Sequence, residues 1–170
     1  MVSRVIPVEP FDLVIFGGTG DLARRKILPG LYRRFQAGQM TADSRIIGAA
    51  RGDLTTDDFR KLVAEAIAEF LPAAQQDAAT IAQFLTRLDY VAIDARGDAG
   101  WPQLKAIVRH DVVQAFYFSV APALFGDLAE RLKSHGIAGD AARIVVEKPF
   151  GRDLASARAL NATLAQHFAE

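Results

Sequence analysis

The sequence predicts an α/β fold: a doubly wound, mainly parallel sheet with helices on both faces. Two observations lead there. Short apolar runs alternate with longer stretches of helical period along the chain. The first such run, residues 13–16, also breaks at a glycine cluster and restarts in helix-forming residues, which reads as strand, turn, helix. Within that cluster Gly18-x-Gly20-x-x-Ala23 fits the dinucleotide fingerprint. On that reading Gly18 makes the tight turn and Gly20 lets backbone approach a pyrophosphate, while the small Ala23 allows close helix–strand packing. The helix then offers unpaired N–H groups and the positive end of its dipole to the phosphates. The arrangement is of Rossmann type.

Composition agrees. The chain has 170 residues, 51% of them apolar, enough for one domain with a full core. Its formal net charge is zero, with 20 basic and 20 acidic residues, so neither nucleic acid nor an anionic membrane is an expected partner. The absence of cysteine excludes a disulfide framework and a thiolate metal site. No apolar run approaches the length of a membrane span, and residues 1–10 carry no apolar signal core. A cytoplasmic protein is expected.

Each element has its own signals. Residues 1–10 form a lead-in kept extended by Pro7 and Pro10, and the domain proper covers residues 11–170. After the glycine loop, Leu22, Ile27, Leu31 and Phe35 predict a helix to about Ala37, with Gly38 as its C-cap and a kink at Pro29. Asp21 lies in its first turn and reads as a cap, since a carboxylate aimed at a pyrophosphate would repel it. Arg24, Arg25 and Lys26 read as a solvated helix face, from which one could instead reach back to a phosphate.

Residues 45–50 predict the second strand, ending at Arg51. An NAD site places an acidic residue here for the ribose 2′-hydroxyl, whereas an NADP site needs a cation for the 2′-phosphate. With no acidic residue until Asp53, Arg51 points to NADP. Thr55 or Thr56 caps the next helix, whose stripe is Phe59, Leu62, Val63, Ile67 and Phe70, and Leu71-Pro72 ends it. A helix over residues 78–86 precedes a third strand at 88–93. Residues 94–100 are a polar, glycine-containing loop, and a short helix follows over 101–110, with Trp101 as a packing residue where the loop meets it. The aromatic and branched stretch 112–120 predicts a central strand, and Pro122 suits the first turn of a helix through Leu132. Residues 144–146 predict a fifth strand that runs into Glu147-Lys148-Pro149-Phe150-Gly151, and Asp153 caps a last helix. Ligands on such sheets bind beyond the C-terminal strand ends. That edge carries residues 17–20, Arg51, residues 119–122 and residues 147–150.

Two stretches taken together resemble the glucose-6-phosphate dehydrogenase family. They are Gly17-Gly18-Thr19-Gly20-Asp21-Leu22-Ala23-Arg24-Arg25-Lys26 and, downstream, Glu147-Lys148-Pro149-Phe150-Gly151-Arg152-Asp153-Leu154. The Gly-Ala-Ala-Arg at 48–51 and the aromatic strand before Pro122 look like the same family. The resemblance covers residues 11–170. It implies that Gly17, Gly18, Thr19, Gly20, Asp21, Leu22, Ala23 and Arg24 hold the NADP pyrophosphate and that Arg51 holds the 2′-phosphate. It also implies that Lys148 contacts the sugar phosphate of glucose 6-phosphate close to the nicotinamide. The implied chemistry is hydride transfer from C1 of glucose 6-phosphate to NADP, with a histidine held by an aspartate as the base.

The sequence departs from that family twice. Ala121 stands where the family usually has the first of two prolines. The family's Arg-Ile-Asp-His-Tyr-Leu-Gly-Lys run is absent, as is the antiparallel-sheet domain that builds most of the sugar-phosphate pocket. His110, His135 and His167 read as surface residues, so no catalytic residue is expected in this chain and no turnover by it alone. The expectation is therefore the nucleotide-binding part of the enzyme. A stand-alone NADP-binding or regulatory module is the alternative, and a reductase of another type is disfavoured because no tyrosine has a lysine four residues on. A domain shaped to pack against a larger partner leaves apolar surface uncovered, so self-association is expected through Leu160, Leu164 and Phe168 of the last helix.

Overall fold

The structure, a computed structural model, describes residues 9–146. Its strands are β1 (Phe11–Phe16), β2 (Arg45–Ala50), β3 (Leu88–Ala92), β4 (Val113–Phe118) and β5 (Arg143–Val146). All pairings are parallel and the order across the sheet is β3-β2-β1-β4-β5. The chain therefore winds outward from β1 to one edge, crosses back and continues on the other side of β1. The reversal between β1 and β4 is the switch point at which such sheets bind ligands.

Five helices connect the strands: α1 (Leu28–Gln36), α2 (Thr56–Phe70), α3 (Ala78–Leu85), α4 (Trp101–Ile107) and α5 (Phe125–Ser134). They divide between the two faces. Leu13, Ile15, Ile46 and Leu88 point to one side and pack with Leu28 and Tyr32 of α1, Phe59 and Val63 of α2 and Phe84 of α3. Val14, Phe16, Ile47, Ala49 and Phe116 point to the other and pack with Trp101 and Leu104 of α4 and Leu128 and Leu132 of α5. Because β1 is covered on both faces, residues 12–16 are buried without a break. β4 alternates instead, with Gln114, Phe116 and Phe118 buried and Ala115 and Tyr117 only half-buried.

The expectation at Pro29 is corrected in detail. The helical path carries a π-helical turn over Ala23–Ile27, in which the Leu28 N–H reaches back to Ala23 O, and Pro29 sits in the first turn of α1 just after it. A proline N–H is missed least at a helix start, so the distortion falls in the wider turn upstream. Asp21 is likewise no cap: its carboxylate accepts from Arg25 Nε at 2.7 Å, one turn along the same helix. Thr55 and Asp58 do form a reciprocal capping box on α2, with each side chain accepting the other's backbone N–H. The expectations for residues 1–8, Lys148 and its neighbours, His167 and the last helix lie outside the described residues.

At the N-terminal end of the sheet, Asp12 is fully buried between two arginines. Arg109 donates to its carboxylate from the backbone N–H at 2.7 Å and from Nη2 at 2.7 Å, and Arg45 donates from Nε at 3.2 Å. The arginines also bridge outward, Arg109 to Asp43 O at 2.6 Å and Arg45 to Ile107 O. Burial alone would raise the Asp12 pKa. The hydrogen bonds from Arg109 and Arg45 outweigh that and hold it below the ordinary value of 3.8. A carboxyl lowered in the folded state stabilises the fold above its unfolded value and loses that contribution as pH falls. Asp12→Ala should therefore lower stability by about 3 kcal/mol at neutral pH. In chemical denaturation, the gap between wild type and variant should narrow as pH falls below 3.8. A gap constant from pH 7 to pH 3 would remove Asp12 from this role.

Candidate functional site

Beyond the C-terminal strand ends, the loops after β1, β2, β3 and β4 enclose a cleft of about 540 Å³. Its floor and one wall are apolar: Phe16, Ala49, Ile93, Val120, Leu124 and Leu128. Its rim is polar: Thr19, Arg51, Asp94 and Arg96.

The first loop has its shape because β1 is squeezed between two neighbours. Gly17 N–H donates to Ala49 O of β2 at 2.8 Å, and Ser119 N–H, just past β4, donates to Phe16 O at 2.9 Å. Gly17 has φ +80°, and a Cβ there would lie 2.0 Å from Ser119 O. No other residue fits that backbone. The tight turn therefore belongs to Gly17 and not to Gly18, whose φ is not positive. Gly20 N–H then closes the turn on Gly17 O at 2.9 Å, and the first helical bond runs from Arg24 N–H to Gly20 O at 3.0 Å. The N–H groups of Asp21, Leu22 and Ala23 precede that first bond, so this helix start is open to an anion at the mouth of the cleft.

The second loop carries Arg51. Within the strand before it, Gly48 makes room for the Phe59 ring of α2, which a Cβ there would meet at 2.5 Å. The Tyr90 hydroxyl lies 2.5 Å from Gly52 O and 3.1 Å from Ala50 O, pinning the backbone on either side of Arg51. Burial, and then the charge of Asp53, raise the Tyr90 pKa, so the hydroxyl stays protonated and able to donate. Arg51 itself is exposed and makes no hydrogen bond or ion pair among the described residues.

Of the residues singled out from sequence, Gly17, Thr19, Gly20 and Arg51 line the cleft together, joined by Val120 and Ala121 from the loop after β4. The others stand elsewhere. Gly18 is buried under the loop, and Leu22 and Ala23 pack into the core beneath it. Asp21 is engaged by Arg25, and Arg24 extends toward Glu69 of α2 at 3.9 Å. Lys148 is outside the described residues. His135 is not a free surface residue, because its ring stacks on Trp101 at 5.7 Å and 12°. Three contributors went unnoticed in the sequence: Tyr90, Asp94 and Arg96. The signal for the last two was topological, since the loop after β3 must open on the same edge as the loops after β1 and β2.

Comparison with known proteins gives a consistent result. Residues 14–170 match the family model described as glucose-6-phosphate dehydrogenase, NAD binding domain. A glucose-6-phosphate 1-dehydrogenase of Rhizobium meliloti is 48% identical over 172 residues, covering 100% of this chain and 35% of the relative. The crystal structure of glucose-6-phosphate 1-dehydrogenase from Mycobacterium avium superimposes with a TM-score of 0.86 at 34% identity, over 95% of this chain and 34% of that one. A glucose-6-phosphate dehydrogenase solved in complex with its substrate glucose 6-phosphate gives a TM-score of 0.80 at 31% identity, over 99% of this chain and 36% of that one. The chain thus spans about a third of the length of the relatives it matches.

The Gly17 geometry is open to a direct check. Gly17→Ala must relieve both a positive φ and an overlap with Ser119 O, so it should cost about 3 kcal/mol or more of folding stability. Chemical denaturation of the two proteins measures this; an unchanged midpoint would mean that β1 and β4 do not approach as described.

Proposed function

Since the chain belongs to the glucose-6-phosphate dehydrogenase family through its NAD-binding domain, we propose that it is the NADP-binding domain, over residues 11–170, of an enzyme oxidising glucose 6-phosphate. The reading rests chiefly on one observation, the convergence of the glycine loop and Arg51, which has no partner among the described residues, on a single cleft at the switch point. The residues present suit a dinucleotide. The mouth at Gly20 is bare of side chain, the adjoining helix start presents backbone donors to a pyrophosphate, and Arg51 offers a planar fork to a phosphate.

When bound, NADP supplies the acceptor for a hydride from C1 of the sugar. The chain's own residues have simpler tasks. Backbone N–H groups of the loop following Gly17 hold the pyrophosphate. Arg51, steadied by Tyr90 through the Gly52 and Ala50 carbonyls, binds the 2′-phosphate and thereby selects NADP over NAD. Phe16, Val120, Leu124 and Leu128 shield the far wall from water. Lys148, two residues beyond the end of β5 in the sequence, is assigned on the family resemblance to the sugar phosphate and the nicotinamide end of the cofactor. No residue of this chain is assigned as the proton-accepting base, which in this family falls to the longer polypeptide. The proposed setting is the cytoplasm; among the described residues no helix is long and apolar enough to cross a membrane.

A charge-assisted contact is worth about 1.5–3 kcal/mol. Arg51→Ala should therefore weaken NADP binding by roughly tenfold or more while leaving NAD affinity within about threefold. Calorimetric titration of wild type and variant with both dinucleotides reads this directly. Equal affinity of the wild type for NADP and NAD would sink the assignment of Arg51.

A further inference from the structure

The cleft carries a second cation whose role the preceding reading leaves unassigned. Arg96, on the loop between β3 and α4, lines the same cleft as Arg51, is exposed, and has no ion-pair partner among the described residues. Both carboxylates flanking it in the loop have other contacts: Asp94 accepts the Arg96 backbone N–H at 3.0 Å and Asp98 accepts from Arg131 Nη1 at 2.5 Å. The guanidinium is thus left without a carboxylate partner among the described residues.

The loop that bears it is fastened from behind. Arg131 of α5 donates from Nε to Ala95 O at 3.1 Å, from Nη2 to Arg96 O at 2.9 Å and from Nη1 to the Asp98 carboxylate at 2.5 Å. Trp101, at the start of α4, donates its indole N–H to Asp94 O at 2.9 Å. One guanidinium, which does not itself line the cleft, therefore holds three points of the eight-residue loop 93–100. An exposed polar loop of this length would otherwise sample many conformations, and ordering it before a ligand arrives lowers the cost of binding.

We propose that Arg96 is a second specificity-determining cation of the nucleotide site, sharing the 2′-phosphate with Arg51, and that Arg131 is the positioning residue that presents it. The proposal rests on the NADP reading of the cleft. Two forks on neighbouring loops, after the adjacent strands β2 and β3, can divide the oxygens of one dianionic phosphate, whereas a ribose hydroxyl gives the second fork nothing anionic to bind. Loss of Arg96 should therefore act on NADP and spare NAD.

Calorimetric titration of the chain with NADP, NAD and adenosine 2′,5′-bisphosphate, each against wild type, Arg96→Ala, Arg96→Lys and Arg131→Lys, tests this. Arg96→Ala should weaken NADP and the bisphosphate about tenfold and change NAD less than threefold, with Arg96→Lys recovering part of the loss. Arg131→Lys keeps the charge but cannot hold three points at once, so it should also lower the NADP-to-NAD preference. A thermal melt accompanies it to show that the chain remains folded. Wild-type preference for NADP that survives Arg96→Ala intact would overturn the inference while leaving the NADP reading standing. A wild type with no preference for NADP would overturn both. An Arg131→Lys variant that melts as wild type and keeps the full preference would remove Arg131 from the positioning role.

Discussion

The close passage of Gly17 between β2 and β4 is the constraint from which the rest of the site follows. A parallel sheet spaces its strands by about 4.8 Å, and the chain leaving β1 must turn out of the sheet without meeting either neighbour. Only a residue lacking Cβ can stand 2.0 Å, in Cβ position, from Ser119 O. Once the turn is made there, Gly20 closes on Gly17 O and the helix begins at once, so the N–H groups of its first turn, which precede the first helical bond, follow directly on the cleft-lining Gly20. Ala23, buried beneath, lets that helix lie close to β1.

The two ends of the sheet treat charge in opposite ways. At the N-terminal end, Asp12 has no exposure and receives donors from both Arg45 and Arg109, which in turn reach main-chain carbonyls. The Asp12 carboxylate is thus answered from within the protein, and the cluster ties β1, β2 and the segment entering β4 together. At the C-terminal end, Arg51 and Arg96 stand on the rim of a cleft with no partner of their own among the described residues. Their backbones are nevertheless fixed, by Tyr90 in one case and Arg131 in the other. Fixed backbone with an uncommitted cation at the tip suits the capture of an anion, because little ordering remains to be done on binding.

The class of fold, the strand sequence and the position of the cleft could be read from the sequence because each rests on local patterns. The apolar run before Gly17 marks β1, Thr55 with Asp58 marks the start of α2, and Arg51 stands where β2 must end. What escaped were features made by distant residues. Arg109 reaches Asp12 across 97 positions and Arg131 reaches the loop after β3 across about 35, and neither pairing leaves a periodic trace. The exchange of roles between Gly17 and Gly18 is subtler. The fingerprint spacing counts from Gly18, but which glycine takes the positive φ depends on where β4 passes, and only the assembled sheet decides that. Asp21 was misread for a related reason: a carboxylate in a first turn suits a cap, yet Arg25 lies within reach one turn on.

The central claim is that one cleft, at the C-terminal end of the sheet, receives the 2′-phosphorylated end of a dinucleotide. Its most direct measurement is an amide-resolved NMR titration of the chain with adenosine 2′,5′-bisphosphate. Saturable shifts are expected at Gly20, Arg51, Gly52 and Arg96, with the amides around Asp12 and Arg109 unmoved at the opposite end of the sheet. Saturable shifts confined to that opposite end, or none at the loops after β1 and β2, would contradict the claim.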